Sequence, residues 1–230
     1  FFGQSSFSQY VVTRASNAVV VDPEVDLTLL GPLGCGIQTG SGTVLNRLKP
    51  VIGESIVVFG CGAVGLSAIM AAKLTGCSQI IAVDIHASRL ALAGELGATH
   101  QINGKEQDAV ALIKQITGKG AHYAVETTGV SAIVLQAVHA VKPLGTVAIV
   151  GFTGDITFNV QNDLMAEGKS LVGVIEGDAV PALFIPLLVQ QYKQGKFPID
   201  KLIVRYPLAD INQAFADSAS GKVIKPVVVM

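Results

Sequence analysis

Apolar residues in the middle of the chain fall into short unbroken runs separated by stretches of helical spacing. Ile56, Val57, Val58 and Phe59 form one run, and Ile80 to Val83 form the next, ending at Asp84. Runs of this length without polar alternation suit strands covered on both faces. Between them, Leu66, Ile69, Met70, Lys73 and Leu74 share one helical face. Beyond Asp84 the pattern predicts a helix over Ala87–Leu96 stopped by Gly97, an extended piece over Thr99–Ile102, and a helix over Gln107–Thr117. Tyr123–Glu126 reads as strand, Ser131–Val141 as helix and Gly145–Gly151 as strand. Strand and helix in turn, joined by short connections, predict an α/β fold with a parallel sheet wound on both faces.

The flanks read differently. Phe1 to Val21 suggests β-strand with polar interruptions, and Asp26 to Gly31 leads into a Gly/Pro-rich turn. Toward the other end come a helical turn at Leu164–Gly168, a strand at Leu171–Ile175, helices at Pro181–Gln194 and Leu208–Ser218, and a strand at Lys225–Val229. The two flanks are expected to form one second domain, divided by the central insertion. The boundaries expected are 1–36, 37–175 and 176–230. There are no internal repeats and no low-complexity stretches.

Composition narrows the classes. Half of the 230 residues are hydrophobic, only 14% are charged, and the net charge is −1. Such a chain can bury an ample core. It shows no basic stripe, so neither nucleic acid nor a membrane surface is an expected partner. Ser55 to Ala72 carries no charge and approaches membrane-spanning length, but its strand-like start and its glycines indicate a buried strand and helix. Three cysteines, Cys35, Cys61 and Cys77, without CxxC spacing argue against a disulfide framework and favour a reducing cytoplasm. No signal peptide is visible, although the chain opens on Phe1.

The junction of the first strand and helix carries the chemistry. Gly60-Cys61-Gly62-Ala63-Val64-Gly65 follows an apolar strand, opens a helix, and is followed about twenty residues later by Asp84 at the end of the next strand. Gly60 permits a tight turn, Gly62 lets a pyrophosphate approach the backbone, and Gly65 allows the helix to pack on the sheet. Unpaired N–H groups at the helix start favour the negative charge. This is the Rossmann dinucleotide-binding pattern; an adenosylmethionine enzyme can share the same turn, but the glycine spacing favours a dinucleotide. Asp84 can accept both ribose hydroxyls and would repel a 2′-phosphate, so NAD is preferred over NADP. Ile85 follows Asp84 directly, and Arg89, one turn into the next helix, can brace the ribose. Strand ends line the ligand crevice in such sheets, which gathers Thr127, Thr128, Val150, Gly151 and Phe152 with the glycine turn. Glu126 reads as a solvated strand end without a role.

Several spaced motifs resemble the zinc-containing, medium-chain alcohol dehydrogenase family. They are Phe7-Ser8-Gln9-Tyr10, Gly34-Cys35-Gly36-Ile37-Gln38-Thr39-Gly40, Gly60 to Gly65 with Asp84, Glu126-Thr127-Thr128-Gly129, Val150-Gly151-Phe152, and Ser220-Gly221-Lys222-Val223-Ile224-Lys225-Pro226. The stretch from Gly31 to Gly40 is most similar to the aryl-alcohol (benzyl-alcohol) branch. The resemblance implies a Rossmann domain plus remnants of a β-rich, GroES-like catalytic domain.

The resemblance also implies roles for single residues. Cys35 matches a ligand of the catalytic zinc, one of a Cys/His/Cys set that leaves a position for the alcohol, whose proton the metal makes easier to lose. Thr39 and Val64 match residues on the two sides of the nicotinamide ring. The backbone of Val150 and Phe152 matches groups that hold the carboxamide, and Lys225 matches a base paired with the pyrophosphate. Phe158 to Val174 matches the segment where subunits join sheets edge to edge, so a homodimer or homotetramer is implied. The implied substrate is a primary alcohol of aromatic or bulky type, oxidised to its aldehyde, with Val174 to Asp178 forming one wall of its pocket.

The sequence departs from the family's pattern in one respect. The segment that would carry the other zinc ligands and the proton relay is absent, as is the four-cysteine lobe of the structural zinc. His86, His100, His122 and His139 are widely spaced, and none suits a ligand beside Cys35. The expectation is a fragment of a larger enzyme that binds dinucleotide, holds no competent zinc and is inactive alone. Two alternatives stay open: a zinc-free enone or quinone reductase using NADPH, which Cys35 and Asp84 argue against, and a non-catalytic dinucleotide-binding module.

Overall fold

A computed structural model of the chain describes residues 7–230. Its described residues fall into two compact units, one of 36–179 and one of the residues up to 35 together with 180–230.

The first unit begins with α1 (Gly36–Gly42), which runs on through a wider helical turn over Thr43–Leu48 and stops at Lys49 in the left-handed region. Next come β1 (Ser55–Phe59), α2 (Ala63–Leu74), β2 (Gln79–Asp84), α3 (Ala87–Leu96) and β3 (His100–Asn103). After them follow α4 (Ala109–Thr117), β4 (Ala121–Glu126), α5 (Ser131–Ala140), β5 (Val141–Ile149) and β6 (Ser170–Gly173). All six strands pair in parallel, in the order β3-β2-β1-β4-β5-β6. The order reverses between β1 and β4, which is where such sheets open a crevice at their C-terminal ends.

β1 is buried along its whole length because each face has a layer over it. Val57 and Phe59 join Ile81, Val83 and Ile102 in a core with Ile113 of α4 and Val138 of α5. Val58 points the other way, toward α2. The Rossmann arrangement expected from the apolar runs is therefore the one observed.

Most boundaries agree closely, and the differences have local causes. α3 ends at Gly97, whose φ of 127° continues no helix. α4 starts two residues later than expected because Asp108 caps it, accepting from the Ala111 N–H at 3.0 Å. β5 starts earlier than expected, at Val141, and absorbs a register shift around Leu144, whose φ is 64°. α1 had no sequence signal, since Gly36, Gly40 and Gly42 are poor helix formers. Its glycines serve packing: a Cβ on Gly40 would lie 1.9 Å from the Val64 carbonyl oxygen, so only glycine admits the close crossing with α2.

The second unit contains α6 (Pro181–Lys193), β7 (Ile203–Pro207), α7 (Ile211–Ala219) and β8 (Lys225–Val229), with β7 and β8 paired in parallel. β7 was not expected from sequence. The strand expected over Phe1–Val21 is not present in its described part: residues 7–21 hold only a short 3-10 turn at Ala15–Asn17. Tyr10, Val12 and Val20 are exposed there, and without a pairing neighbour among the described residues an extended segment makes no ladder. Residues 1–6 of that expected strand lie outside the described residues. Asp217 of α7 is the buried polar hub of this unit, accepting from the Tyr206 hydroxyl at 2.7 Å, Gln213 at 2.8 Å and Lys222 at 3.1 Å.

Candidate coenzyme site

The turn after β1 is fixed by two glycines for different reasons. Gly60 has φ of 92°, and a Cβ there would sit 2.5 Å from Thr127 Oγ1. A Cβ on Gly65 would lie 1.8 Å from the Gly60 carbonyl oxygen, so the first turn of α2 rests directly on the loop. Gly62 differs from both. Apart from Gly62 and its chain neighbours, no atom of the described residues lies within 4 Å of the position its Cβ would take, so no packing among them requires glycine there. That open space faces the start of α2, where no side chain caps the helix and no acid occupies the first turn. The amides and the dipole at this point suit an anion, and the vacant Cβ position lets one approach the backbone. The residues fit a dinucleotide pyrophosphate.

Asp84 ends β2 beside this turn and is 8% exposed. Its Oδ2 accepts the Cys61 N–H at 2.7 Å and its Oδ1 accepts the His86 N–H at 2.9 Å. The carboxylate is thus oriented by the backbone before any ligand arrives, and each oxygen keeps acceptor capacity for a hydroxyl. Arg89 lies half-buried on α3 with a buried Nε that has no hydrogen-bond partner, a donor consistent with a polar ligand at this end of the sheet. Ile85 is exposed. The Cys61 thiol is pushed far above its usual pKa, first by burial and then by the neighbouring Asp84 carboxylate, with Arg89 opposing. Cys77 is buried as well, and burial raises its pKa too. Neither thiol is a nucleophile at neutral pH.

The opposite side of the turn holds the main correction to the sequence reading. Glu126, expected as a solvated strand end, is 0% exposed. Its Oε1 accepts the Thr128 N–H at 2.6 Å, the Thr128 hydroxyl and the Gly129 N–H at 3.1 Å. Its backbone carbonyl accepts the N–H groups of Val150 at 2.9 Å and Gly151 at 3.1 Å. One residue therefore ties together the loops after β4 and β5. Those loops also touch each other, since a Cβ on Gly129 would meet the Phe152 carbonyl oxygen at 2.4 Å and one on Gly151 would meet the Gly129 nitrogen at 2.3 Å. Thr127 closes the group, donating its hydroxyl to the Phe59 carbonyl at 2.9 Å. The available signal was the turn itself: Thr128 and Gly129 bring three donors to a strand end that offers one carboxylate.

α1 completes the surroundings. Ser67 and Val64 of α2 pack against Gly40. Thr39 is buried and donates its hydroxyl to Glu176 Oε2 at 3.4 Å, while Gln38 donates to the same oxygen at 3.0 Å. Glu176, Gly177 and Asp178 follow one another with φ of 49°, 69° and 48°, a run that two non-glycine residues rarely join. Asn46 holds the middle of that loop through the Gly177 carbonyl at 3.0 Å. Of the expected site residues, Thr39, Gly60, Gly62, Ala63, Val64, Gly65, Asp84, Ile85, Arg89, Thr128, Val150, Gly151 and Phe152 belong to this unit. Cys35 and Lys225 belong to the other.

Cys35 was expected as one zinc ligand of a larger set. Cys35 is exposed, and no group of three or more His, Cys, Asp or Glu side chains suited to a metal occurs among the described residues. Three of the four histidines serve elsewhere: His122 Nδ1 accepts the Ser55 N–H at 3.1 Å, His139 pairs with Asp163 at 3.0 Å, and His100 contacts Thr99. A catalytic zinc takes three protein ligands. Cys35 offers one, so these residues do not by themselves fit a zinc ion.

The model of a family described as zinc-binding dehydrogenase matches residues 63–190, more than half of the chain and the whole stretch from the start of α2 through β6. The chain belongs to this family. The resemblance to zinc-containing alcohol dehydrogenases read from the motifs is thereby confirmed. Among its relatives, the geraniol dehydrogenase of Castellaniella defragrans is 44% identical over 232 residues, covering 100% of this chain and 62% of that protein. Alcohol dehydrogenase 1 of Pisum sativum is 34% identical, again over 100% of this chain and 62% of its own length. The crystal structure of benzyl alcohol dehydrogenase from Acinetobacter calcoaceticus is 52% identical with a TM-score of 0.96, covering 99% of this chain and 64% of that one. The chain thus spans less than two thirds of the length of these family members.

Proposed function

We propose that this chain is the coenzyme-binding part of an NAD-dependent alcohol dehydrogenase that oxidises a primary alcohol of aryl or similarly bulky type to its aldehyde. The observation that carries the reading is the pairing of two features at one turn: open space above Gly62 at an uncapped helix start, and Asp84 already oriented by two backbone N–H groups. The relatives named for geraniol and benzyl alcohol support the alcohol class. NAD, when bound, supplies the hydride acceptor. The residues of this chain bind and orient it. The α2 amides hold the pyrophosphate over Gly62, and Asp84 accepts from the adenosine ribose. Because Asp84 lies on the β2 side, the nicotinamide half extends toward β4 and β5, between the 127–129 and 150–152 loops and near Thr39 and Val64. Arg89 and Ile85 complete the adenosine side. Roles for Cys35 as a metal ligand and Lys225 beside the pyrophosphate rest on the family resemblance.

The same reading carries a homodimer or homotetramer joined through 158–174, where β6 is the edge strand of the sheet. No described helix is long and apolar enough to cross a membrane; the cytoplasmic setting rests on the cysteine usage. Titration of the purified chain with NAD and NADP tests the proposal. NAD should bind more tightly, and no alcohol oxidation should accompany binding. Preference for NADP, or no binding of either, would overturn the coenzyme reading.

A further inference from the structure

We infer that Glu126 is a positioning residue for the nicotinamide half of the coenzyme, an inference that rests on the dinucleotide reading above. Its carboxylate is fully buried with no cationic partner among the described residues, a costly state that persists only when donors compensate it. Those donors all come from one place, the Thr128 and Gly129 turn. The side chain accepts hydrogen bonds from that turn and its Oε2 also lies against Gly151, while its own carbonyl anchors Val150 and Gly151. Both loops flank the crevice on the side away from Asp84. A displaced 127–129 turn would move the 150–152 loop with it, because Gly129 and Phe152 are already in backbone contact.

The residue type matters, not only its size. In Glu126→Gln an amide oxygen at the Oε1 position still accepts the two Thr128 donors and the Gly129 N–H, but the NH2 at the Oε2 position then faces the Gly129 N–H at 3.3 Å, donor against donor. A buried donor left without an acceptor shifts an equilibrium by about tenfold or more. The adenosine half at Asp84 contacts none of these groups, which separates positioning from general loosening of the fold.

The test compares the wild-type chain with Glu126→Gln, titrating NAD and, separately, AMP. The variant should bind NAD about tenfold more weakly while AMP affinity stays within about twofold. Equal weakening of both ligands would assign Glu126 a merely structural role, and unchanged NAD affinity would remove it from the site; either result overturns the inference. If wild-type chain binds neither AMP nor NAD, the dinucleotide reading itself fails, a distinct outcome. Should Glu126→Gln fold poorly, Thr128→Val removes one donor from the same carboxylate and should show the same split between NAD and AMP at smaller size.

Discussion

Two strand-end acids, Asp84 and Glu126, stand on either side of the glycine turn, and they divide the labour of the site. Both are buried and both accept backbone N–H groups. Asp84 receives one N–H on each oxygen and retains a sliver of exposed surface. Glu126 is sealed, and the donors around it come from the loop that follows it. The first carboxylate is arranged to meet a ligand, and the second is arranged to hold the wall a ligand rests on. What separates the two roles is the allocation of donors, not the chemistry of the acid.

The wall that both acids share is the most sensitive place to break this comparison. Gly65→Ala places a methyl group 1.8 Å from the Gly60 carbonyl oxygen, and backbone cannot step aside as a side chain can. The expected result is loss of measurable NAD binding and a stability cost on the order of 1–3 kcal/mol, read by titration and by thermal melting. Asp84→Ser should come next. It removes the charge that meets the ribose, so NAD affinity should fall by about tenfold to a hundredfold while NADP binding is spared. Unchanged discrimination between the two coenzymes would return Asp84 to a purely structural part. Thr128→Val should act on the other acid alone, weakening NAD by only a few-fold, since the Glu126 carboxylate keeps the Thr128 and Gly129 N–H donors.

The smallest effect is expected from a third buried acid, Asp217 in the other unit. Its pKa lies below the ordinary carboxylate value, chiefly through the Tyr206 hydroxyl and the Gln213 amide, with Lys222 adding to it. A depressed folded-state pKa means that the contribution is fully present above the unfolded value, about 4, and is lost as pH falls through the folded value. Melting profiles between neutral pH and about pH 2.5 should therefore show a shallower acid limb in Asp217→Asn than in wild type. Coenzyme affinity at neutral pH should not change.

The sheet was legible because its apolar runs and glycine stops are local signals. Ile56 to Phe59 and Ile80 to Val83 needed no tertiary context to read as buried strands, and Gly97 closed α3 by itself. Asp84 was legible because its distance from Gly65 is part of the same pattern. Three features were not. α1 hides its helix behind Gly36, Gly40 and Gly42, and the need for glycine at the last two is explained only by the closeness of Val64 and Gly177. β7 requires β8, which lies downstream in the chain, before it has a partner. Glu126 looked like a surface acid because the sequence does not show which donors fold back onto it. In each case the deciding contact lies elsewhere in the chain, and periodicity carries no information about it.

Cysteine placement has a practical consequence. Cys61 and Cys77 are buried thiols that resist deprotonation, whereas Cys35 faces solvent. An alkylating dye applied to the folded chain at neutral pH has one accessible sulfur, so a fluorophore can be attached at a single known address without engineering the other two away.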